Sequence, residues 1–364
     1  MPYRKTLLSL VLLVVVVVCA VVGGIGWHFS SLATEVEHGR AYRFTIVAAG
    51  GGTVTLPRDS TTSRPGTWGL IWPSGRAVLG PVVGGDSRTV VRKVVSGSPA
   101  AGSRAVIDHW VYGRDPQQDL GLPFQDVTYS SALGAMPAWY VPGRSSVWVV
   151  AVHGRNASRM ETFRAMKAVH AAGMPLLSIS YRNDEGAPPS RTKRNLLGYE
   201  EWRDVASAVA YARGHGASGV VLYGYSMGGG MVVNTVRHDA SFVRGMVLDS
   251  PVLDWNSTLD KQAAQRSLPG FLTAAAKQVL HWRTGIDLKS LDARTYAPKL
   301  RTPTLLFTTD QDRMVDNGPS LEFARRAPKG MVTALSAHAD HTDAWNVDPA
   351  RYESALTAFL TPLA

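Results

Sequence analysis

The sequence predicts an α/β fold: a mostly parallel central sheet flanked by helices, carried behind one N-terminal apolar helix. Three observations predict it. From residue 123 onward, short apolar segments alternate with amphipathic helical ones, the pattern of a parallel sheet covered on both faces. One such segment, Val220-Val221-Leu222-Tyr223, runs into Gly224-Tyr225-Ser226-Met227-Gly228 and then into helical sequence, which describes a sharp strand-to-helix turn. Residues 7–27 form a stretch of 21 residues without a charge, long enough to cross a bilayer as a helix.

At 364 residues the chain exceeds the usual size of one hydrophobic core, so a large α/β domain plus a smaller piece is expected. Hydrophobic residues make up 45% and charged residues 18%, which excludes an extended disordered chain. The formal charge of +10 is spread out. No run of five or six like charges occurs, and the densest basic stretch holds only Arg191, Lys193 and Arg194 with no interleaved aromatics, so no nucleic-acid partner is expected. The single cysteine, Cys19, lies within the apolar run behind three valines, where it reads as an apolar side chain and offers no internal disulfide.

Arg4 and Lys5 precede the apolar run and Glu35 and Glu37 follow it. That bias places the N-terminus in the cytoplasm and the rest outside, as a single-pass protein of the cell membrane. A cleaved signal peptide is the alternative, because Ser31-Leu32-Ala33 resembles a small-x-small cleavage site, and it gives a secreted protein. The expected organisation is a cytoplasmic stub and transmembrane anchor over residues 1–33, a small β-rich segment over 34–122, and the α/β domain over 123–364.

In the β-rich segment, strands are expected at 44–47, 67–71, 89–95 and 105–112 between Gly, Ser and Pro turns, and no motif there carries recognisable chemistry. In the α/β domain, strands are expected at 147–152, 175–180, 220–223, 246–248, 304–307 and 332–335. Helices are expected at 160–172 and 199–213, and at the C-terminus from Asp348-Pro349, where proline suits the first turn. Residues 252–301 form an insertion with helical sequence at 268–282; its place after a strand puts a small helical cap over the ligand crevice.

Ser226 sits where a nucleophile belongs, with Gly224 and Gly228 flanking it because side chains there would clash. A serine hydroxyl needs a base to take its proton and an acid to orient that base. The loop after the strand at 304–307 offers Asp310 and Asp312, and the loop after the next offers His338 and His341. Asp312 is preferred as the acid because it lies deeper in its loop, Asp310 reading as a turn cap. His341 is preferred as the base, His338 reading as a packed or hydrogen-bonded core histidine beside its strand. Donors for an oxyanion are expected from the backbone N–H groups of Met227 and Arg155, the latter following His153-Gly154. The cluster His338, Asp340, His341 and Asp343 lacks a second ligand group at metal spacing, so no metal and no cofactor is expected.

Residues 125–363 resemble the α/β-hydrolase superfamily, in its serine-aminopeptidase and prolyl-oligopeptidase-like bacterial branch. The resemblance rests on His153-Gly154, Ser180-Tyr181-Arg182-Asn183, Gly224-Tyr225-Ser226-Met227-Gly228-Gly229, Asp249-Ser250-Pro251, Asp312-Arg313-Met314-Val315, and His341 with Trp345 and Asp348-Pro349. It implies the α/β-hydrolase fold and a Ser226-His341-Asp312 triad forming an acyl-enzyme. The expected function is an extracytoplasmic serine hydrolase of carboxylic esters, acting on a small-molecule, lipid or envelope acyl substrate. A peptidase, an acyltransferase and a non-catalytic binding protein are the alternatives on the same fold.

Overall fold

The computed structural model describes residues 2–37, 39 and 41–364. A helix over Pro2–Thr34 opens the chain, and its stretch Leu7–Thr34 is long and apolar enough to span a membrane. Its leucines and valines from Leu7 to Val17 are exposed wherever described. The side chains of Arg4 and Lys5, on which the expected orientation rests, lie outside the described residues.

The last turns of this helix are docked. A Cβ at Gly26 would come within 2.8 Å of Val279 Cγ2, so only glycine lets this helix approach the one over Gly270–Thr284 this closely. Arg283 lies 3.7 Å from the Trp27 ring centroid and donates to the Trp27 carbonyl at 2.9 Å. At the helix end, Asn195 N–H donates to the Thr34 carbonyl at 3.0 Å and Arg194 Nη1 to Thr34 Oγ1 at 3.2 Å. Arg194, from the basic stretch, is thus spent on an internal contact.

Seven strands follow: β1 (Phe44–Thr45), β2 (Ala48–Gly50), β3 (Thr53–Pro57), β4 (Trp68–Trp72), β5 (Gly75–Gly85), β6 (Thr89–Ser96) and β7 (Arg104–Asp108). They form one antiparallel sheet in the order β1-β7-β4-β5-β6-β3-β2 around Leu56, Leu70, Leu79 and Val90. The long strand β5 was not expected, since Gly80, Pro81, Gly84 and Gly85 read as turn. Its pairing with β6 shifts register between Leu79 and Val82 and again between Val82 and Gly84. Such irregularities are where proline and glycine are tolerated in a strand.

The second sheet holds β8 (Gln125–Ser131), β9 (Gly134–Val141), β10 (Val147–Val152), β11 (Leu176–Ile179), β12 (Gly219–Tyr225), β13 (Val243–Asp249), β14 (Thr304–Thr309) and β15 (Val332–Ala337), in the order β15-β14-β13-β12-β10-β11-β9-β8. Strands β10 to β15 pair in parallel, and the antiparallel hairpin β8-β9, missed by the alternation pattern, closes one edge. Both faces are packed, which is why β10, β12 and β14 are continuously buried. The insertion after β13 forms helices over Trp255–Gln265 and Gly270–Thr284, the first of them unanticipated.

Candidate active site

Ser226 caps the helix Met227–His238 directly after β12, with φ of 51° and ψ of −118°. Positive φ is costly for a residue with a side chain and persists only where the surroundings impose it. Here they do. Ser226 N–H donates to the Asp249 carbonyl on β13 at 2.9 Å, and Val252 N–H donates to the Ser226 carbonyl at 3.0 Å. The flanking glycines are sterically required: a Cβ at Gly224 would lie 2.4 Å from the Gly228 carbonyl oxygen, and one at Gly228 would lie 2.5 Å from that of Val152.

The loops after β14 and β15 bring the other two residues to the serine. His341 Nε2 is 2.8 Å from Ser226 Oγ, and His341 Nδ1 is 2.7 Å from Asp312 Oδ2. Asp312 is buried, and its Oδ1 accepts from the N–H groups of Met314 at 2.8 Å and Val315 at 2.7 Å. Those bonds fix the carboxylate, and the carboxylate fixes the imidazole. Burial draws the His341 pKa down, yet the hydrogen bond and charge of Asp312 outweigh it, so the group sits above its ordinary value.

The rival pair lies elsewhere. His338 Nδ1 is 3.0 Å from Asp310 Oδ2, with side chains 80% and 51% exposed. His338 is therefore no core histidine, because β15 is the sheet's outer strand and its loop leaves that side chain in solvent. Among the described residues no group of His, Cys, Asp and Glu could hold a metal ion.

Gly154 lies against Ser226, where a Cβ would be 3.0 Å from Ser226 Cβ. Its N–H donates to Glu161 Oε2 at 2.7 Å. The next N–H, that of Arg155, meets no acceptor among the described residues, and Asn156 at φ of 56° turns the loop behind it. Met227 occupies the first turn of its helix, where N–H groups lack intrahelical acceptors. Met227 thus follows Ser226 in the chain, and Arg155 lines the same cavity as Ser226. His153 is buried as a pillar of this loop, with Nε2 2.7 Å from Asp184 Oδ2 and Nδ1 2.8 Å from the Gly154 carbonyl.

The surrounding cavity, about 1000 Å³ with its open mouth included, is lined by Ser226, His341, Gly154 and Arg155, and also by Arg64, His109 and Trp110 from the β-rich segment. The segment, which offers no motif, thus contributes part of the cavity wall. Arg64 Nη1 donates to Asp343 Oδ2 at 2.9 Å and Nη2 to Asp340 Oδ2 at 3.1 Å, gripping residues on both sides of His341. Its loop is itself pinned: buried Arg92 donates to the carbonyls of Thr62 at 3.1 Å, Arg64 at 2.5 Å and Gly66 at 2.7 Å. Burial lowers the Arg92 pKa to about 10. A Cβ at Gly66 would lie 2.0 Å from the Asn346 carbonyl oxygen, so glycine is what lets this loop dock. No sequence motif signals the contact, since Arg64 and Asp343 are 279 residues apart.

Beneath the His341 loop lies a second network that sequence reasoning missed. Thr342 N–H donates to Ser250 Oγ at 3.1 Å, Ser250 Oγ to Asp249 Oδ1 at 3.0 Å, and Tyr352 Oη to Asp249 Oδ2 at 2.7 Å. Burial raises the Asp249 pKa. Arg164, fully buried, reaches the Thr342 carbonyl and, at 3.4 Å, Glu161 Oε1. The motif Asp249-Ser250-Pro251 thus marks a support for the His341 loop.

The comparisons with known proteins agree with this architecture. A family model described as serine aminopeptidase, S33, matches residues 145–291, which include Ser226. An esterase from Pyrococcus furiosus superposes with a TM-score of 0.56 at 19% identity, over 69% of this chain and 97% of that one. The chain has the α/β-hydrolase fold. A structure described as DcsB in complex with its substrate analogue gives a TM-score of 0.52 at 15% identity, covering 66% of this chain and 100% of that one. By sequence, a multifunctional-autoprocessing repeats-in-toxin protein of Vibrio vulnificus is 23% identical over 235 residues, 60% of this chain but 4% of that protein. The chain therefore spans a small fraction of that relative's length. Residues 45–108 match a second family model, Domain of unknown function (DUF8805).

Proposed function

We propose that this α/β-hydrolase is a membrane-anchored, extracytoplasmic serine hydrolase that cleaves carboxylic esters through an acyl-enzyme at Ser226. The observation that carries the reading is the unbroken line from Ser226 Oγ through His341 to Asp312, at 2.8 and 2.7 Å. In it, Ser226 Oγ attacks the ester carbonyl while His341 Nε2 takes its proton. The proton then goes to the departing alcohol, and water, activated by the same histidine, releases the acid. Asp312 holds the imidazole and stabilises its charged form. The N–H groups of Met227 and Arg155 receive the negative charge that develops on the carbonyl oxygen.

An ester is favoured over an aminoacyl bond by the acids of the cavity. A free α-ammonium group calls for a carboxylate not already neutralised, and the three lining the cavity are each paired with an arginine: Glu161 with Arg164, Asp340 with Arg64 and Arg313, and Asp343 with Arg64. The aminopeptidase reading draws on the matched family model. Turnover of p-nitrophenyl esters of rising chain length beside aminoacyl and peptidyl amides separates the two, and faster turnover of any aminoacyl amide than of every ester reverses the order.

The anchor reading is supported by the exposed apolar stretch of the first helix and by Arg4, Lys5, Glu35 and Glu37 around it. On this reading the division into anchor (1–33), β-rich segment (34–122) and hydrolase domain (123–364) places both folded parts on the outer face of the cell membrane.

A further inference from the structure

A second cleft adjoins the Ser226 cavity. Its volume is about 790 Å³, open mouth included, within the range of ligand sites. One wall is the end of the N-terminal helix, with Phe29, Leu32 and Ala33; the other is the cap, with Leu259, Leu268 and Leu280. Arg155, Trp255, Gln262 and Met314 line both this cleft and the Ser226 cavity, so the two spaces share a boundary beside the expected oxyanion donor.

The lining is mostly aliphatic and aromatic, with Arg155, Gln262, Arg266 and Lys277 among its polar members, a composition that suits a hydrocarbon chain with a polar head. The outer surroundings point the same way. The helix that forms one wall continues into the exposed leucines and valines of its membrane-length stretch, and Trp27, Phe271 and Trp282 beside it are 59%, 69% and 75% exposed. Exposed aromatics next to an apolar span are typical of the level where bilayer meets water. Docking of the helix by Gly26, Arg283 and Arg194 makes that wall a fixed part of the cleft.

We infer that this cleft is an acyl-chain site: a long-chain lipid ester enters between the N-terminal helix and the cap and presents its carbonyl to Ser226. The inference rests on the hydrolase reading above for the reaction, and on the cleft alone for binding. The helix is then both tether and substrate wall.

The test uses the full chain in detergent micelles, with Ala33→Phe filling the cleft from its half-buried helix wall. The ratio of kcat/KM for p-nitrophenyl palmitate to that for p-nitrophenyl acetate is expected to fall roughly tenfold or more. In a Ser226→Ala background, saturable quenching of tryptophan fluorescence by a brominated sixteen-carbon fatty acid is expected, Trp255 lying on the cleft, and Ala33→Phe should weaken it. An unchanged ratio together with unchanged quenching overturns the inference. Quenching that Ala33→Phe weakens, in a protein that turns over no ester and whose Ser226 resists fluorophosphonate, keeps the acyl site and rejects the hydrolase reading.

Discussion

Arg64 and Asp343 meet at 2.9 Å across the junction of the two sheets, and the same guanidinium reaches Asp340. Because His341 lies between those aspartates, the β-rich segment grips the loop that carries the proposed base. Arg64→Ala is expected to lower kcat by roughly tenfold while moving KM little, since a misplaced base harms the reacting geometry more than ground-state binding. It also leaves Asp343 buried with a partner lost, at a stability cost of about 1–3 kcal/mol. Arg64→Lys should restore part of kcat. A variant with lowered melting temperature and unaltered kcat would reduce Arg64 to a structural strut.

Mutation is expected to separate the proposed triad from the rival pair His338 and Asp310. Ser226→Ala and His341→Ala should each cost on the order of 10⁴-fold in turnover, with Asp312→Asn nearly as severe or somewhat milder. His338→Ala and Asp310→Asn should change turnover by less than about threefold, because an exposed surface pair of this kind contributes little. Turnover and fluorophosphonate labelling of full-length variants, with folding checked by circular dichroism, decide the matter. An inactive, folded His338→Ala beside an active His341→Ala would mean that the wrong histidine has been chosen.

His341 must be neutral to accept the serine proton, and its pKa is raised by Asp312 against the pull of burial. The acid limb of kcat/KM is therefore expected above the ordinary histidine value of about 6.5. In Asp312→Asn the raising charge is gone and burial remains, so the residual activity should show its limb at lower pH. An identical limb in both proteins would assign it to another group.

The same shift has a stability counterpart. A histidine whose folded pKa is raised contributes stability that is fully present below about 6.5 and is lost as pH rises through the folded value. Wild type should lose more melting temperature than His341→Gln between pH 6 and pH 9. His153, buried and raised by Asp184 against its own burial, should give a similar difference in His153→Gln. Thermal melts across that range are the check, and parallel curves would contradict it.

On the proposed topology, residues 34–364 lie outside the cytoplasmic membrane. Protease added to intact spheroplasts should degrade the hydrolase domain while leaving cytoplasmic markers whole. Complete protection would overturn that orientation.

What could be read from the sequence was what local chemistry writes. The elbow at Ser226 announces itself because a strand, two obligatory glycines and a helix must be contiguous. Asp312 and His341 follow from their places after β14 and β15. The rest depends on residues brought together from afar. Arg64 looks like any loop arginine until Gly66 docks against Asn346. Strand β5 is hidden by glycine and proline that only its irregular pairing explains. His338 and His341, three residues apart on one loop, differ only in which way the loop turns, and Thr342 at φ of 55° is part of that turn.

The N-terminal helix ends at Thr34, and Thr34 is itself hydrogen-bonded to Asn195 and Arg194 of the hydrolase domain. The helix end is thus tied directly to the hydrolase domain. In a bilayer, such an enzyme could not swing out to sample solution; its active site would stay at one height and patrol a plane by lateral diffusion. Its rate would then track the mole fraction of ester within the lipid sheet, and diluting that ester with inert lipid would slow it even at constant bulk concentration.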